Sequence, residues 1–171
     1  MEEEKYWGQM HMGKRYDALG ILFMVFFFMV IPVGILTAWF GFLLLPIPWL
    51  VAWLACGVVF ALGIYVFALS KREFDRSGQN LHSKTGVTLI TSGIYASIRH
   101  PHYLAHMLFC LSFALGFRSL GGLLTAIVEV ILEYWFTLEE EKELIQQFGD
   151  GYREYKARVP MFVPKLRRKS Q

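Results

Sequence analysis

The chain has 171 residues, of which 55% are hydrophobic and 16% aromatic, and its formal net charge is +3. Only 18% of the residues are charged, against about a quarter in a typical soluble domain, which argues against a soluble globular protein. No Asp, Glu, Lys, Arg or His occurs from Ala18 to Ser70, a stretch too long for one crossing of a ~30 Å hydrocarbon core and long enough for two. The composition therefore predicts an all-α integral membrane protein that forms a single domain, residues 1–171.

About four transmembrane helices, with five as the alternative count, are predicted from the positions of the apolar runs. The first run contains Pro32, which is expected to kink its helix, and Pro46-Ile47-Pro48 makes the chain reverse before the second run. The third and fourth runs are short, which predicts tilted helices or a thin local bilayer. The predicted spans are residues 19–45, 49–70, 104–117 and 123–138.

The segments between and after these spans have their own character. Residues 71–103 form a polar loop with several glycines, and a turn at residues 118–122 joins the last two spans into a helical hairpin. From Glu139 the pattern predicts an amphipathic helix that ends near Gly149, followed by a basic stretch. The predicted organisation is two N-terminal spans (19–70), a cofactor loop (71–103), a helical hairpin (104–138) and a cytosolic C-terminal segment with its helix (139–171).

The positive charges predict which side of the membrane each segment occupies. With four spans, all of the 17 Lys and Arg residues except Arg118 fall on one side. The positive-inside rule makes that side cytosolic, whereas an odd number of spans would divide the charges between compartments. Both termini, the loop and the C-terminal segment are therefore expected in the cytosol.

Two polar clusters lie directly before and after the predicted hairpin. Residues 99–103 read Arg-His-Pro-His-Tyr, and residues 140–141 are both glutamate. Because the hairpin crosses the membrane and returns, both clusters are expected at the same end, where they can form one binding site. The simpler alternatives are a basic loop whose proline begins a helix, and a solvated acidic helix face.

Glu129 and Glu133 are a separate signal inside the fourth predicted span. They are one helical turn apart, and carboxyl groups at that depth are costly unless they face inward and are paired or protonated. His106, on the facing span, is a candidate partner. A functional pocket is favoured over a purely structural network, and both interpretations stay open.

Several short stretches, taken together, resemble the isoprenylcysteine carboxyl methyltransferase family. This family belongs to a wider group of integral-membrane methyltransferases that includes phospholipid methyltransferases. The matching stretches occur in the order and spacing of the family and cover about residues 85–164. They are TLITSGIY (88–95), RHPHY (99–103), EEKEL (140–144), FG (148–149), YREY (152–155) and VP (159–160).

The resemblance implies that S-adenosyl-L-methionine (SAM) is the methyl donor and is held in the cytosolic loop region. It implies that Glu140 or Glu141 faces the sulfonium, the donor ammonium or the acceptor, with Arg99 and His100 as the other catalytic candidates. The residues implied to contact the cofactor are Val87, Thr88, Leu89, Ile90, Tyr95, His100, Pro101, His102 and Tyr103.

The candidate acceptor contacts are Glu140, Phe136 and Glu133. The family usually places an arginine four residues before the first of its paired glutamates, to grip the acceptor carboxylate, and this chain has Phe136 there. The acids within the span therefore fit a cationic or neutral acceptor better than a carboxylate. An amine acceptor must lose a proton, which His100 or a membrane glutamate can accept.

The leading functional hypothesis is SAM-dependent methyl transfer to a small molecule dissolved in the membrane. Carboxyl methylation of a prenylated cysteine is the first choice by resemblance, and methylation of a lipid amine or a small thiol is the alternative. A nicotinamide-dependent membrane reductase ranks lower, as does a non-enzymatic protein whose basic end, residues 165–169, holds anionic lipid. No CxxC or HExxH pattern argues for a metal. The expected partners are the bilayer and a lipophilic substrate, not nucleic acid, and the oligomeric state stays open.

Overall fold

The computed structural model describes residue 36, residues 44–77 and residues 88–164, and these residues are mostly helical. The described ranges contain no β-strand, only an isolated bridge between Leu44 and Ser119. The prediction of an all-α protein is therefore confirmed for this part of the chain. The helices are α1 (Trp49–Arg76), α2 (Pro101–Phe117), α3 (Leu120–Phe148) and α4 (Asp150–Arg158), with a short 3₁₀ helix at Gly93–Ala96.

Two of these helices are long and apolar enough to cross a membrane. They are α1, with 28 residues, and α3, with 29 residues. The α2 helix is also apolar but has 17 residues. The described residues thus contain two candidate spans out of the four predicted, and the first predicted span, 19–45, lies almost entirely outside them.

Two helix boundaries differ from the predicted loop at residues 71–103. The α1 helix continues through its first charged residues to Arg76, because ion pairs from Lys71 to Asp75 and from Arg76 to Glu73 support its last turns. The α2 helix begins at Pro101, in the first-turn position that suits proline.

The turn between α2 and α3 is shorter than the predicted residues 118–122. It consists of Arg118, which takes a left-handed conformation with φ of 54°, and Ser119. The Ser119 hydroxyl accepts a hydrogen bond of 3.2 Å from the Gly122 backbone N–H and caps α3. Because this cap satisfies an N–H of the first turn, the helix already includes the glycine pair that was expected to stay in the turn.

Small residues let α1 and α2 approach closely. A Cβ atom at Gly63 in α1 would lie 2.8 Å from the Phe109 ring of α2, and one at Gly116 in α2 would lie 3.1 Å from the Cys56 sulfur of α1. Close backbone contact at small residues is the usual way in which membrane helices associate, since lipid gives them no hydrophobic drive to do so.

The α3 helix carries its polar residues inside and its large apolar residues outside, the reverse of a helix in a water-soluble protein. Its exposed residues include Leu124, Ile127, Val128, Ile131, Tyr134 and Trp135. Its buried residues are Gly122, Ala126, Glu129, Glu133, Thr137 and Glu141. A broad apolar face of this kind, with acids turned away from it, suits contact with lipid.

The helix predicted from Glu139 ends at Phe148, so its predicted end near Gly149 is confirmed. It is the continuation of the fourth predicted span, because α3 runs without a break from Leu120 to Phe148. Gly149, with φ of 58°, makes a corner, and α4 begins at once at Asp150. Tyr152, Tyr155 and Val159 are buried in a cluster whose other members are Leu89, Leu144, Ile145 and Phe148.

Candidate functional site

The two polar clusters on either side of the hairpin are in direct contact. Arg99, just before α2, points its Nε and Nη2 at the Oε1 atom of Glu141 in α3, at 2.8 and 2.7 Å. Their side chains are 8% and 1% exposed. A geometry in which two guanidinium N–H groups share one carboxylate oxygen is strong and directional.

Arg99 also ties the end of α4 to this junction. Its Nη1 donates to the backbone carbonyls of Lys156, at 3.0 Å, and of Val159. The backbone N–H groups of Arg99 and His100 donate to the carbonyls of Pro160 and Met161, at 2.9 and 3.2 Å. The segment after α4 therefore lies alongside the segment before α2 and closes the junction from one side.

Glu141 stays ionised in this setting. Burial alone would raise its pKa, but hydrogen bonds from His100, Lys156 and Arg99 outweigh burial and lower the pKa from 4.5 to about 2. The Lys156 ammonium lies 2.6 Å from the second carboxylate oxygen. Both oxygens of Glu141 therefore carry charged partners.

His100 joins the two glutamates. Its Nε2 lies 3.3 Å from Glu141 Oε1, and its Nδ1 lies 3.7 Å from Glu140 Oε2. The Glu140 side chain is 16% exposed, whereas that of Glu141 is 1% exposed. Of the two carboxylates, Glu140 is thus the one that a small molecule can reach.

The loop before α2 is held by both of its neighbours. The Tyr95 hydroxyl shares a hydrogen bond of 2.9 Å with Ser70 near the end of α1, and the Tyr95 carbonyl accepts one of 2.6 Å from the Tyr155 hydroxyl. Burial raises the pKa of Tyr95, the Ser70 hydrogen bond lowers it, and the negative charge of Glu140 raises it; the net shift is upward, so the phenol keeps its proton at neutral pH.

Glycine is required at the start of this loop's 3₁₀ helix. Gly93 has φ of 56°, and a Cβ atom there would overlap the Glu73 carboxyl group. That carboxyl accepts a hydrogen bond of 3.0 Å from the Ser92 hydroxyl. Any other residue at position 93 would take this left-handed conformation at a cost and would displace the Glu73 side chain that holds the turn against α1.

The structure places the predicted cofactor residues in three groups. Leu89 packs in the buried cluster with Tyr152 and Tyr155, while Thr88 and Ile90 lie beside it in irregular backbone. The imidazole of His100 lies 5.9 Å from the Tyr103 ring, and the rings of His102 and His106 are 4.4 Å apart. Pro101 begins α2, and Val87 lies outside the described residues.

The acids of α3 continue from this junction into the apolar part of the molecule. Glu133 Oε1 lies 3.2 Å from His106 Nδ1 on α2, so the predicted partner is confirmed. Glu129 and Glu133 are 3% and 6% exposed. Phe136 is partly buried, and its ring lies 5.1 Å from that of Trp135.

Four residues at or beside the junction were not among the predicted site residues. Ser70 and Lys156 gave no signal, because each is an ordinary residue that matters only through a distant partner. Tyr152 and Tyr155 belong to the stretch YREY that matches the family, and both are buried. Their spacing of three residues beside a lysine was the available clue to a buried helix face.

The family model described as phospholipid methyltransferase matches residues 36–151. This range is more than half of the chain and contains α1, α2, α3 and the polar junction. The chain therefore belongs to the phospholipid methyltransferase family.

Individual relatives match about half of the chain or less. The chain is 36% identical over 81 residues to protein-S-isoprenylcysteine O-methyltransferase of Schizosaccharomyces pombe, covering 44% of this chain and 33% of that protein. It is 37% identical over 97 residues to the Homo sapiens protein of the same name, covering 54% and 32%. It is 42% identical over 72 residues to methanethiol S-methyltransferase 1 of Bradyrhizobium diazoefficiens, covering 42% and 24%. The matched region spans about a third or less of the length of these relatives.

Proposed function

We propose that this chain transfers a methyl group from SAM to a small acceptor dissolved in the membrane. The family and its named relatives support methyl transfer. The single observation that carries the proposal is the meeting of Arg99 and His100 with Glu140 and Glu141 at one end of the α2–α3 hairpin. We propose that this end faces the cytosol and that the apolar helices span the membrane.

The residues at the junction fit an organic cation. Glu140 offers a carboxylate whose side chain is 16% exposed, and its Oε2 atom lies 3.7 Å from His100 Nδ1. Glu141 is closed off by Arg99 and Lys156, which makes it a residue that holds the junction together. We therefore assign Glu140 to the positive charge of the donor, and Glu141 and Arg99 to positioning.

Bound SAM supplies an electrophilic methyl group on a sulfonium sulfur. The chain's own residues are then needed to orient the donor, to align the acceptor and to exclude water. His100 lies beside Glu140 and keeps its carboxylate next to a polar ring, and Tyr95, fixed by Ser70 and Tyr155, presents a rigid ring at the donor side. The apolar faces of α2 and α3 give a lipophilic acceptor a path from the bilayer.

Two acceptor classes are supported by different observations. The relatives named protein-S-isoprenylcysteine O-methyltransferase favour a prenylated cysteine. The relatives named methanethiol S-methyltransferase favour a small thiol. Phe136 and Glu133 favour it too, because a carboxylate acceptor would need a positively charged partner there and neither residue supplies one. A lipid amine is the third acceptor that the family description allows.

The test is donor binding followed by turnover with purified, detergent-solubilised chain. We expect one SAM bound per chain by titration calorimetry, and transfer of labelled methyl to at least one acceptor from a panel of prenylcysteines, alkanethiols and lipid amines. Glu140→Gln should lower kcat/KM by about 10- to 100-fold, since a charged contact of ~1.5–3 kcal/mol is lost. Glu139→Gln is the matched control, because Glu139 pairs with Lys142 at the surface.

Two results would contradict the proposal. One is the absence of SAM binding in protein that is folded by its melting transition. The other is a wild-type rate for Glu140→Gln, which would remove this carboxylate from the site.

A further inference from the structure

A hydrogen-bonded group of ionisable side chains lies between α2 and α3, away from the cytosolic junction. The Glu133 carboxyl lies 3.2 Å from the His106 imidazole, and Glu129 lies one helical turn before Glu133, with both acidic side chains buried. Two buried carboxyl groups so close in one helix disfavour two negative charges at once. A single negative charge shared by the pair is therefore the favoured state.

This group lies about two helical turns from the junction and is connected to it along both α2 and α3. Glu133 and Glu140 lie seven positions apart on one helix, which is two turns or ~10 Å along the axis. On the facing helix, the His106 ring lies 4.4 Å from the His102 ring and 6.4 Å from the Tyr103 ring. Side chains that can carry protons thus extend from the apolar region to His100 and Glu140.

A purely structural role explains this arrangement poorly. Ala105, Cys110, Ala114 and Ala126 show that small apolar side chains fill the neighbouring buried positions of the same two helices. Two carboxyl groups at such buried positions cost several kcal/mol of desolvation, and a purely structural role gives no reason for that cost. The packing of α2 against α3 therefore does not require acids at positions 129 and 133.

Resting on the proposed function, we propose that Glu133, oriented by His106, accepts the proton of an acceptor that enters the site as a neutral thiol. The S–H bond breaks as its proton passes to the Glu133 carboxylate, and the thiol sulfur forms a bond to the methyl carbon. The bond from that carbon to the donor's sulfonium breaks, and its electron pair stays on the donor sulfur. The products are a thioether, neutral S-adenosylhomocysteine and a protonated Glu133.

The same residues disfavour the other acceptor classes. A carboxylate acceptor arrives without a proton, so it gains nothing from a base and is repelled by the charge that Glu129 and Glu133 share. The described ionisable groups that face Glu133 are His106 and Cys110 from α2 and Glu129 and Glu140 from α3. None of them supplies a fixed positive charge for a carboxylate.

The experiment compares two thiols that differ in their need for a base. One is an alkanethiol, whose proton must be removed in the site, and the other is an arylthiol, whose far more acidic S–H is ionised in neutral buffer. Glu133→Gln keeps the size of the side chain and a hydrogen-bonding group for His106. We expect kcat on the alkanethiol to fall about 100-fold, the range typical of a lost general base, and kcat on the arylthiol to stay within about threefold of wild type or to rise, because an anionic thiolate is then repelled less.

Two controls separate this role from a structural one. Glu139→Gln removes a carboxylate from the surface of the same helix and should leave both rates unchanged. SAM binding by calorimetry should be equal in wild type and Glu133→Gln, because the donor is assigned to the cytosolic junction. Raising the pH should restore the alkanethiol rate of Glu133→Gln toward that of wild type, as the free thiolate becomes available.

The remaining outcomes show which part of the proposal fails. Equal losses on both thiols, or no loss on the alkanethiol, would overturn the role of Glu133. Wild-type transfer to N-acetyl-S-farnesylcysteine with no transfer to either thiol would overturn the acceptor class and leave methyl transfer standing. Only a folded chain that binds no SAM would overturn both proposals together.

Discussion

At the scale of single residues, Arg99 and Glu141 form a buried ion pair that links the two polar clusters. Its two side chains are nearly inaccessible, and Arg99 holds two backbone carbonyls besides the carboxylate. Removing one partner of such a pair leaves a buried charge and typically costs about 3–5 kcal/mol. We therefore expect this pair to hold the junction together, while the proposed contact with the donor is made by Glu140.

The lowered pKa of Glu141 predicts an acid-sensitive fold. Its pKa is about 2 in the folded protein and 4.5 in the unfolded one, so the stabilisation is fully present above pH 4.5 and is lost as the pH falls toward 2. Linkage makes this contribution about 3 kcal/mol. We expect the melting temperature of the detergent-solubilised protein to fall steeply over that pH window.

The variant Glu141→Gln should be less stable at pH 7 and should have a flatter stability profile between pH 4.5 and 2. Asp150→Asn is the control, because Asp150 pairs with Arg153 at the exposed surface, where such pairs contribute little. An unchanged pH profile in Glu141→Gln would show that other carboxyl groups cause the acid sensitivity.

At the scale of helices, the close contact between α1 and α2 depends on having glycine at the position where the two helices touch. Gly63 faces the Phe109 ring, and a methyl group there would be 2.8 Å from it. Gly57 lies on the same helix, and no described atom comes within 4 Å of a methyl group placed there. The two positions differ in packing while sharing the same change in helix propensity.

Gly63→Ala should therefore be less stable than Gly57→Ala by about 1–3 kcal/mol, the usual cost of overpacking a tight contact. The measurement is the free energy of unfolding in mixed micelles, with wild type alongside. We expect Gly57→Ala to be neutral or slightly stabilising. Equal stabilities of the two variants would mean that Phe109 moves aside without cost.

The apolar runs were sufficient to predict the cores of α1, α2 and α3, the first residue of α1 and the last residue of α2, but not the extension of α1 to Arg76. The residues from Glu139 to Gln147 are good helix formers, so nothing in them stops α3 before Gly149. The α4 helix has nine residues and a polar composition, and its helical state depends on burying Tyr152 and Tyr155 against α3 and Leu89. Whether such a short helix forms depends on contacts between segments that are distant in sequence, and these contacts cannot be read from hydrophobic periodicity.

At the scale of the whole molecule, the convergence of the two polar clusters could be predicted because an apolar hairpin must return to the side on which it began. The pairing of Glu133 with His106 followed from the same geometry. The anchoring of Tyr95 by Ser70, and of Glu141 by Lys156, depends on how α1 and α4 approach the hairpin. Those approach angles are set by packing, and the sequence pattern does not contain them.

The described charges are distributed unequally between the two ends of the molecule. Lysines and arginines near the junction are numerous, whereas Arg118 alone lies at the opposite end, where it covers the Trp49 ring at 4.7 Å and donates to the Leu45 carbonyl at 3.1 Å. An aromatic ring and one arginine at this end suit a membrane interface. The unequal charge predicts that the junction end is cytosolic.

Single cysteines at the two ends test this orientation. In a background lacking Cys56 and Cys110, Ala157→Cys places a thiol on exposed α4 and Pro46→Cys places one in the exposed connection near Arg118. We expect a membrane-impermeant maleimide to label position 46 in right-side-out vesicles and position 157 in inside-out vesicles. Detergent permeabilisation should make both positions equally reactive, which controls for local accessibility. Labelling of both positions from the same side would mean that α1, α2 and α3 do not place the junction and the Arg118 turn on opposite faces of the membrane.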